Sequence, residues 1–537
     1  MKFVAMNLYS NAIEDERVRR YLPVNRVMAG ENVLGAEAVV NNPEVQLFLW
    51  GKTKPECTIQ PGGWILVDFG IELHGGVRLL SREAGKIRLR FGESAGEAMQ
   101  EPNQDHAVHD TELLLPRNGM IEYGNTAFRF ARIDSLEPEK NLAFQNILAV
   151  ALYRELEWTG SFESSDERLN RIWKTGAYTV LFNMQDYIYD GAKRDRLPWM
   201  GDLNPELRTI LAVFSDTSLV RRTLDYLKKQ TPLPGWMNGI VTYSLWFIIS
   251  HWEYYRHTGD RNYLAAQKEY IDELLKHFAE MIAPSGAEQI VGRRFLDWPN
   301  NDNPQGLHAG LHGLLYWAFR CGLNICRSLE TDTLLCRTAL EKLRGYIPDC
   351  GECKAAAAIM TISGLSDCSQ VLLRDPFRGL STFYGCYMLY AQPTPNALEV
   401  IRRYWGGMLD YGATTFWEDF DLDWLENTSP ISELPVRGRN DLHADFGAYC
   451  YKGLRHSLCH GWASGPTSFL SRRIAGIRFL EPGGGTISIS PDLCDLEYAA
   501  VRYPTPHGPV TVTAEKGKKP EIKAPSEVEI IESPQRT

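Results

Sequence analysis

Ser164-Ser165-Asp166-Glu167-Arg168-Leu169-Asn170-Arg171-Ile172-Trp173 is where the chain changes its periodicity. Ser164, with Glu167 three residues on, fits a capping box, in which two side chains close the orphan backbone donors of a helix start. Leu169, Ile172, Trp173, Ala177, Val180 and Met184 then recur at helical spacing. Upstream the texture is different. Trp64-Ile65-Leu66-Val67-Asp68-Phe69-Gly70 and Val77-Arg78-Leu79-Leu80 are short apolar runs split by glycine. Lys86-Ile87-Arg88-Leu89-Arg90-Phe91-Gly92 and Phe128-Arg129-Phe130-Ala131-Arg132-Ile133 alternate with period two, as half-buried strands do. Residues 1–158 are therefore expected to form an antiparallel β-sandwich.

Downstream the helical pattern persists. Tyr254-Tyr255-Arg256-His257-Thr258-Gly259-Asp260 reads as a helix end with Gly259 at C′, and Asp260 caps the next helix. Further helices are expected over 311–327, 331–343, 386–392 and 398–405. About a dozen helices with short connections suggest six hairpins around one centre, an (α/α)6 barrel over residues 159–474. Periodicity alone is compatible with other helical arrays. After residue 475 the pattern returns to β, with Gly483-Gly484-Gly485 leading into Thr486-Ile487-Ser488-Ile489-Ser490, then Val510-Thr511-Val512-Thr513. Residues 475–537 are expected to be a small C-terminal β-sandwich whose charged tail, from Pro520, frays. The fold class is multidomain α+β.

Composition narrows the partners. With 537 residues and 44% hydrophobic content, the chain is long enough for two or three domains and shows no sign of disorder. A net charge of −10 argues against nucleic acid or an anionic membrane and favours a neutral small molecule. Met1-Lys2-Phe3-Val4-Ala5-Met6-Asn7 reaches charged residues without an apolar stretch, and no run approaches a membrane span. The eleven cysteines have no framework spacing, and Cys350-Gly351-Glu352-Cys353 is a CxxC without a second half. A cytoplasmic protein with reduced thiols, no metal and no cofactor is expected. His308 and His312 stand at i, i+4 but lack the glutamate of a zincin, so a packed or solvated pair is the better reading. Gly483-Gly484-Gly485 has no Lys-Ser/Thr after it and is a turn rather than a phosphate loop.

Chemistry concentrates in three places. Tyr189-Asp190-Gly191-Ala192-Lys193-Arg194-Asp195-Arg196-Leu197-Pro198-Trp199-Met200-Gly201-Asp202 is dense in charge around one tryptophan. Asn204-Pro205-Glu206 after it reads as a helix start, with Asn204 as cap and Pro205 at the first position. Such a connection can hold a sugar, hydroxyls on charged groups and the CH face on an indole. It can equally be an ion-pair network between two helices. The second stretch is Tyr411-Gly412-Ala413-Thr414-Thr415-Phe416-Trp417-Glu418-Asp419-Phe420, and the third is Ser457-Leu458-Cys459-His460-Gly461-Trp462. In a toroid of hairpins alternate connections gather at one end, so Asp195, Glu418 and His460 can meet there.

These stretches, in the order β-sandwich, helical barrel, small β-domain, resemble the α-L-rhamnosidases of glycoside hydrolase family 78. Arg194-Asp195-Arg196-Leu197-Pro198-Trp199-Met200-Gly201-Asp202 and Gly412-Ala413-Thr414-Thr415-Phe416-Trp417-Glu418 carry the resemblance, which runs from about residue 60 to 500. It implies inverting hydrolysis of α-L-rhamnosides, with Asp195 as general acid and Glu418 as general base. Asp190, Arg194, Trp199 and Asp202 would line the sugar subsite, with His460 as a sugar-binding histidine. Many members have Arg-Asp-Glu-Arg-Leu where this chain has Arg194-Asp195-Arg196-Leu197. Aligned from Trp199, Asp195 replaces the acid glutamate; aligned from Arg194, the acid is missing and the site is inactive or repurposed.

Beyond the motifs, Trp236, Trp246, Trp252, Trp298, Tyr384 and Trp417 are candidates for an aromatic wall, each equally suited to core packing. Trp246, Trp298 and Trp417 are taken as substrate-binding, together with Asp297 from Phe295-Leu296-Asp297-Trp298-Pro299. Glu253 reads as a structural partner within a helix. A small rhamnoside is the expected substrate and a homodimer the expected assembly. Another glycoside hydrolase or lyase on the same barrel, or a non-catalytic carbohydrate-binding protein, is the competing reading.

Overall fold

The computed structural model describes residues 15–48, 56–101 and 109–532. The leader reading on Met1–Asn7 and the last five residues of the tail lie outside the described residues. The chain is a mixed α+β protein with mainly antiparallel sheets and many helices.

The N-terminal sheet has seven strands: Arg17–Pro23, Arg26–Leu34, Cys57–Ser81, Gly85–Gly92, Asp110–Leu115, Gly119–Ser135 and Leu142–Arg154. The apolar runs at 64–70 and 77–80, read as two strands, are one bent strand, Cys57–Ser81. Gly70 and Gly75, at φ 85° and 148°, let it turn without ending, and its register with Gly119–Ser135 shifts around them. At Gly75 only glycine fits, since a Cβ would stand 1.9 Å from the Val150 carbonyl oxygen. The pairing of Cys57–Ser81 with Leu142–Arg154 is parallel, against the all-antiparallel expectation. The apolar face of this sheet (Val67, Leu79, Phe128 and Ile147 among others) packs on Phe182, Ala192 and Cys459 from the helical region. That contact sets the charged loop at 189–202 directly on the sheet.

The first helix of the array, Glu167–Asn183, is capped by Asp166, whose carboxylate accepts from Arg168 N and Leu169 N at 2.9 and 3.2 Å. Ser164 is not the cap. It belongs to the strand Ser161–Ser164, whose pairing with Tyr498–Tyr503 keeps it extended. The helix expected to open at Asn204 runs Met200–Val213, and Pro205 lies inside it. Asn204 does not cap because its side chain is engaged across the array, with Ser250 Oγ at 3.0 Å and Tyr387 Oη at 2.9 Å. Asn238 Oδ1 instead accepts from Met200 N at 2.9 Å. The Gly259 reading holds, with φ 68° at the C-cap and Asp260 accepting from Tyr263 N at 2.9 Å.

Helices Met200–Val213, Val241–Thr258, Pro304–Ser328, Lys354–Ser363, Thr382–Tyr390 and Gly465–Phe469 each pack on the next, and the last returns to the first. Their apolar core is continuous with that of two small C-terminal sheets. One sheet contains Ile477–Phe479, Thr486–Ile489 and Glu529–Glu532; the other contains Ser161–Ser164, Tyr498–Tyr503, Val510–Glu515 and Glu521–Lys523. The tail from Pro520 was expected to fray, but through residue 532 it forms strands, with Ile522 in register with Val512 and Ile530 with Ile487. Sheet pairing outweighs the charge of the exposed face. All eleven cysteines are free thiols, and among the described residues no helix is long and apolar enough to cross a membrane.

Candidate active site

The loop at 189–202 is closed on itself and clamped from two sides. Asp190 N donates to the Leu197 carbonyl at 3.0 Å, and its carboxylate accepts from Leu197 N at 3.1 Å. Between them, Asp195 and Arg196 take left-handed backbone, φ 56° and 51°, which non-glycine residues rarely adopt without an overriding constraint. Gly461 N donates to the Asp190 carbonyl at 2.8 Å, and Ala192 N to the Cys459 carbonyl at 3.1 Å, so the third motif braces the first. Below it Lys193 is buried, its Nζ 2.8 Å from Glu97 Oε1 and 3.3 Å from Glu93 Oε2, donating to the Leu454 carbonyl at 2.6 Å. Glu93, Glu97 and His443 are grouped closely enough to hold a cation. Lys193 already supplies the positive charge there.

Arg194 joins the first and second motifs. Its Nη2 donates to both carboxylate oxygens of Glu418, at 2.5 and 2.7 Å, and its Nη1 lies 3.5 Å from Asp195 Oδ1. Glu418 also accepts from Ser457 N at 3.0 Å, and its carbonyl accepts from Trp462 Nε1 at 2.9 Å. Burial pushes the Glu418 carboxyl above its usual range, with Arg194 opposing. His460 Nε2 stands 3.9 Å from Asp190 Oδ2, 4.0 Å from Asp202 Oδ1 and 3.8 Å from Glu418 Oε1. Burial drives Asp190 and Asp202 well above the ordinary carboxylate range and His460 well below the ordinary imidazole value. A neutral imidazole among carboxyls of mixed protonation is a set of donors and acceptors suited to hydroxyl groups.

Aromatic rings line the other side. Trp199, Tyr243, Phe295 and Trp298 meet edge to face in succession, at centroid distances of 6.1, 6.1 and 5.2 Å. The Tyr243 hydroxyl donates to Asp202 Oδ2 at 3.2 Å. Trp462 sits 4.2 Å from His460, ring to ring.

Asp190, Arg194, Asp195, Trp199, Asp202, Trp298, Glu418 and His460 thus border one cavity, of about 60 Å³. Three expected members do not border it. Trp246 is fully buried and stacks on Tyr387 at 4.8 Å, as core. Trp417 is buried edge-on against Phe420 at 5.6 Å. Asp297 is buried behind the wall, where it accepts from Ser381 Oγ and from Trp298 N and so orients the Trp298 turn; burial pushes its carboxyl up to about 6. Tyr243, Arg293 and Cys450 also border the cavity and carried no sequence signal, whereas Phe295 and Trp462 sat inside quoted stretches. Trp236 packs on Phe278, and Tyr384 is core. Glu253 is the structural partner expected, paired with Arg208. His308 bonds Glu288 and Tyr346, and His312 the Leu343 carbonyl, as a packed pair. A larger cavity of about 620 Å³ lies elsewhere, with six arginines among the residues that line it. Opposed carboxylates, rather than volume, mark the smaller one as the candidate site.

Residues 157–311 match the family model described as the bacterial α-L-rhamnosidase six-hairpin glycosidase domain. A curated α-L-rhamnosidase of Alteromonas sp. (strain LOR) is 24% identical over 219 residues, 37% of this chain and 24% of that protein. The structure of a family 78 rhamnosidase of Bacillus sp. GL1 superposes with a TM-score of 0.72 at 22% identity, covering 93% of this chain and 55% of that one. A Klebsiella oxytoca rhamnosidase with rhamnose bound superposes with a TM-score of 0.64 at 19% identity, covering 85% of this chain and 96% of that one. The chain spans about half the length of the Bacillus protein, and its match covers about a quarter of the Alteromonas one. At these identities the solved structures show the fold.

Proposed function

We propose that this chain, which resembles the α-L-rhamnosidases of glycoside hydrolase family 78 in family model, relatives and fold, is an inverting glycoside hydrolase releasing terminal α-L-rhamnose from small rhamnosides. The observation that carries the reading is the Asp195–Arg194–Glu418 arrangement at a cavity with carboxylates on one side and indoles on the other. An inverting enzyme keeps its two carboxyl groups roughly 6.5–9.5 Å apart to admit water, against roughly 5–5.5 Å in a retaining one. Arg194 stands between the two groups, paired with Glu418 and 3.5 Å from Asp195 Oδ1.

In this reading Asp195, on the exposed side, protonates the departing glycosidic oxygen. Glu418, in the buried floor, takes a proton from water as the water oxygen attacks the anomeric carbon from the opposite face. The products are the free aglycone and β-L-rhamnose. Arg194 favours the ionised form of Glu418, which a base needs. Asp190, Asp202 and His460 would hold sugar hydroxyls, and Trp199 and Trp298 the sugar's apolar face. The closure of the loop by Asp190 and Leu197, with Asp195 facing the cavity, supports aligning the acid from Trp199. The closed ring of helices supports an (α/α)6 barrel over 159–474, between β domains at 1–158 and 475–537, with strand Ser161–Ser164 lent to the last. Eleven free thiols favour a cytoplasmic setting.

The test is proton NMR of p-nitrophenyl α-L-rhamnoside with wild type, Asp195→Asn and Glu418→Gln. The β-anomer should appear first, and each variant should lose at least about 100-fold in kcat. Rhamnose binding without turnover by the wild type would instead identify a carbohydrate-binding protein.

A further inference from the structure

Six residues beyond Asp202 on the helix Met200–Val213, about 9 Å along its axis, Arg208 faces the larger cavity. This space of about 620 Å³ lies between the helical ring and the C-terminal sheets. Arg208, Arg256, Arg320, Arg472, Arg473 and Arg478 border it, against two carboxylates, Glu253 and Asp492. Glu253 is committed to Arg208, and Asp492 accepts from the Thr394 hydroxyl at 2.6 Å. Arg473 donates to Thr394 at 3.0 Å, and Arg320 to the Ser363 carbonyl. Among the described residues Arg256, Arg472 and Arg478 have neither an ion pair nor a side-chain hydrogen bond, although Arg256 and Arg472 are largely withdrawn from solvent.

Like charges withdrawn from water without a counter-charge weaken a fold. Burial and the neighbouring Arg472 pull Arg256 down to about 10, with Glu253 opposing, whereas Tyr503, Tyr390 and Glu253 hold Arg472 above its ordinary value against burial. The side chains could be relieved by an anion with several oxygens, since guanidinium groups pair with phosphate in parallel hydrogen bonds. The cavity volume is within the range of small-molecule sites, and Trp252, Trp317 and Tyr390 give it a flat apolar side. We propose that this cavity binds a multiply charged, phosphate-bearing small molecule, its phosphate oxygens held by Arg256 and Arg472 with Arg478 at the rim. The site is separate from the carboxylate cavity and does not depend on the rhamnosidase reading.

Isothermal titration of the full chain with inorganic pyrophosphate and with inorganic phosphate, at physiological ionic strength, tests it. Saturable one-site binding is expected, at least about 10-fold tighter for pyrophosphate, with a rise in Tm on binding. Arg256→Met and Arg472→Met should each weaken pyrophosphate at least about 10-fold, and Arg256→Met should leave the unliganded Tm equal or higher, because a repulsion with Arg472 is removed. Glu418→Gln should leave pyrophosphate binding unchanged. No binding, binding retained in both methionine variants, or displacement of pyrophosphate by rhamnose would overturn the proposal. If neither methionine variant folds, Arg478→Ser, on the exposed face of the strand Ile477–Phe479, decides: a several-fold loss of affinity supports the site and an unchanged affinity overturns it.

Discussion

Arg194 Nη2 lies 2.5 and 2.7 Å from the two carboxylate oxygens of Glu418, a residue 224 positions further along the chain. The pair is nearly closed to solvent, with side chains 11% and 5% exposed. Burial favours the protonated carboxyl, and the guanidinium favours the carboxylate. Replacing Arg194 with methionine removes the second influence. The acidic limb of the kcat/KM profile, set by Glu418 as base, should then move to higher pH by about one unit or more, with a large loss of rate at pH 7. A limb that stays in place in Arg194→Met would remove Glu418 from the role of base.

Lys193→Met leaves Glu93 and Glu97 buried without their cation. Breaking one partner of a buried pair costs about 3–5 kcal/mol, and urea unfolding should show a loss of that order. Lys193 also holds the Leu454 carbonyl, three residues before the Ser457 amide that binds Glu418, so activity should fall with stability. An unchanged midpoint would mean that the sheet does not brace the loop.

Gly461 has no room for a methyl group. A Cβ there would stand 1.6 Å from Glu206 Oε1, on a side chain that is itself buried. Gly461→Ala should cost about 1–3 kcal/mol by overpacking and raise KM, because His460 and Trp462 flank the displaced position. A variant with wild-type Tm and KM would show that Glu206 yields freely.

Asp419, next to Glu418, is pushed up to about 7 by burial first and then by Asp297. Its folded value lies above its ordinary 3.8, so the folded state holds the proton more tightly than the unfolded chain. Its contribution to stability is complete below about pH 4 and is lost as pH rises through about 7. Asp419 Oδ1 accepts from Phe420 N at 3.0 Å, and Asp419→Asn keeps that acceptor but does not titrate. The fall in Tm between pH 4 and 7 should therefore be shallower in the variant, leaving it the more stable protein at pH 8. Parallel Tm–pH curves for the two proteins would count against the shift.

What could be read in advance was local. The helix stop at Gly259 and cap at Asp260 are decided by backbone conformation within a few residues, and the alternation of 86–92 by the two-residue period of a strand. The charged loop and the Gly412–Glu418 stretch announced their chemistry through residue types at close spacing. Ser164 misled because its pairing partner, Ala499, lies 335 positions away and holds it in a strand, leaving the cap to Asp166. Asn204 misled because its amide is engaged by Ser250 and Tyr387 across the ring of helices.

The sequence by itself determined the β–α–β order, the helix periodicity and the acidic and aromatic groups of the loops, because these depend on neighbours a few residues apart. Only the tertiary structure decided which aromatic rings face the cavity: Trp199 and Trp298 do, while Trp246 and Trp417 fill the core. It also decided that Tyr243 and Arg293 join them, and that one guanidinium spans Asp195 and Glu418. An indole or a carboxylate has the same local pattern whether it points at solvent, a cavity or a neighbouring helix. Its direction is set by packing between elements that chain distance does not relate.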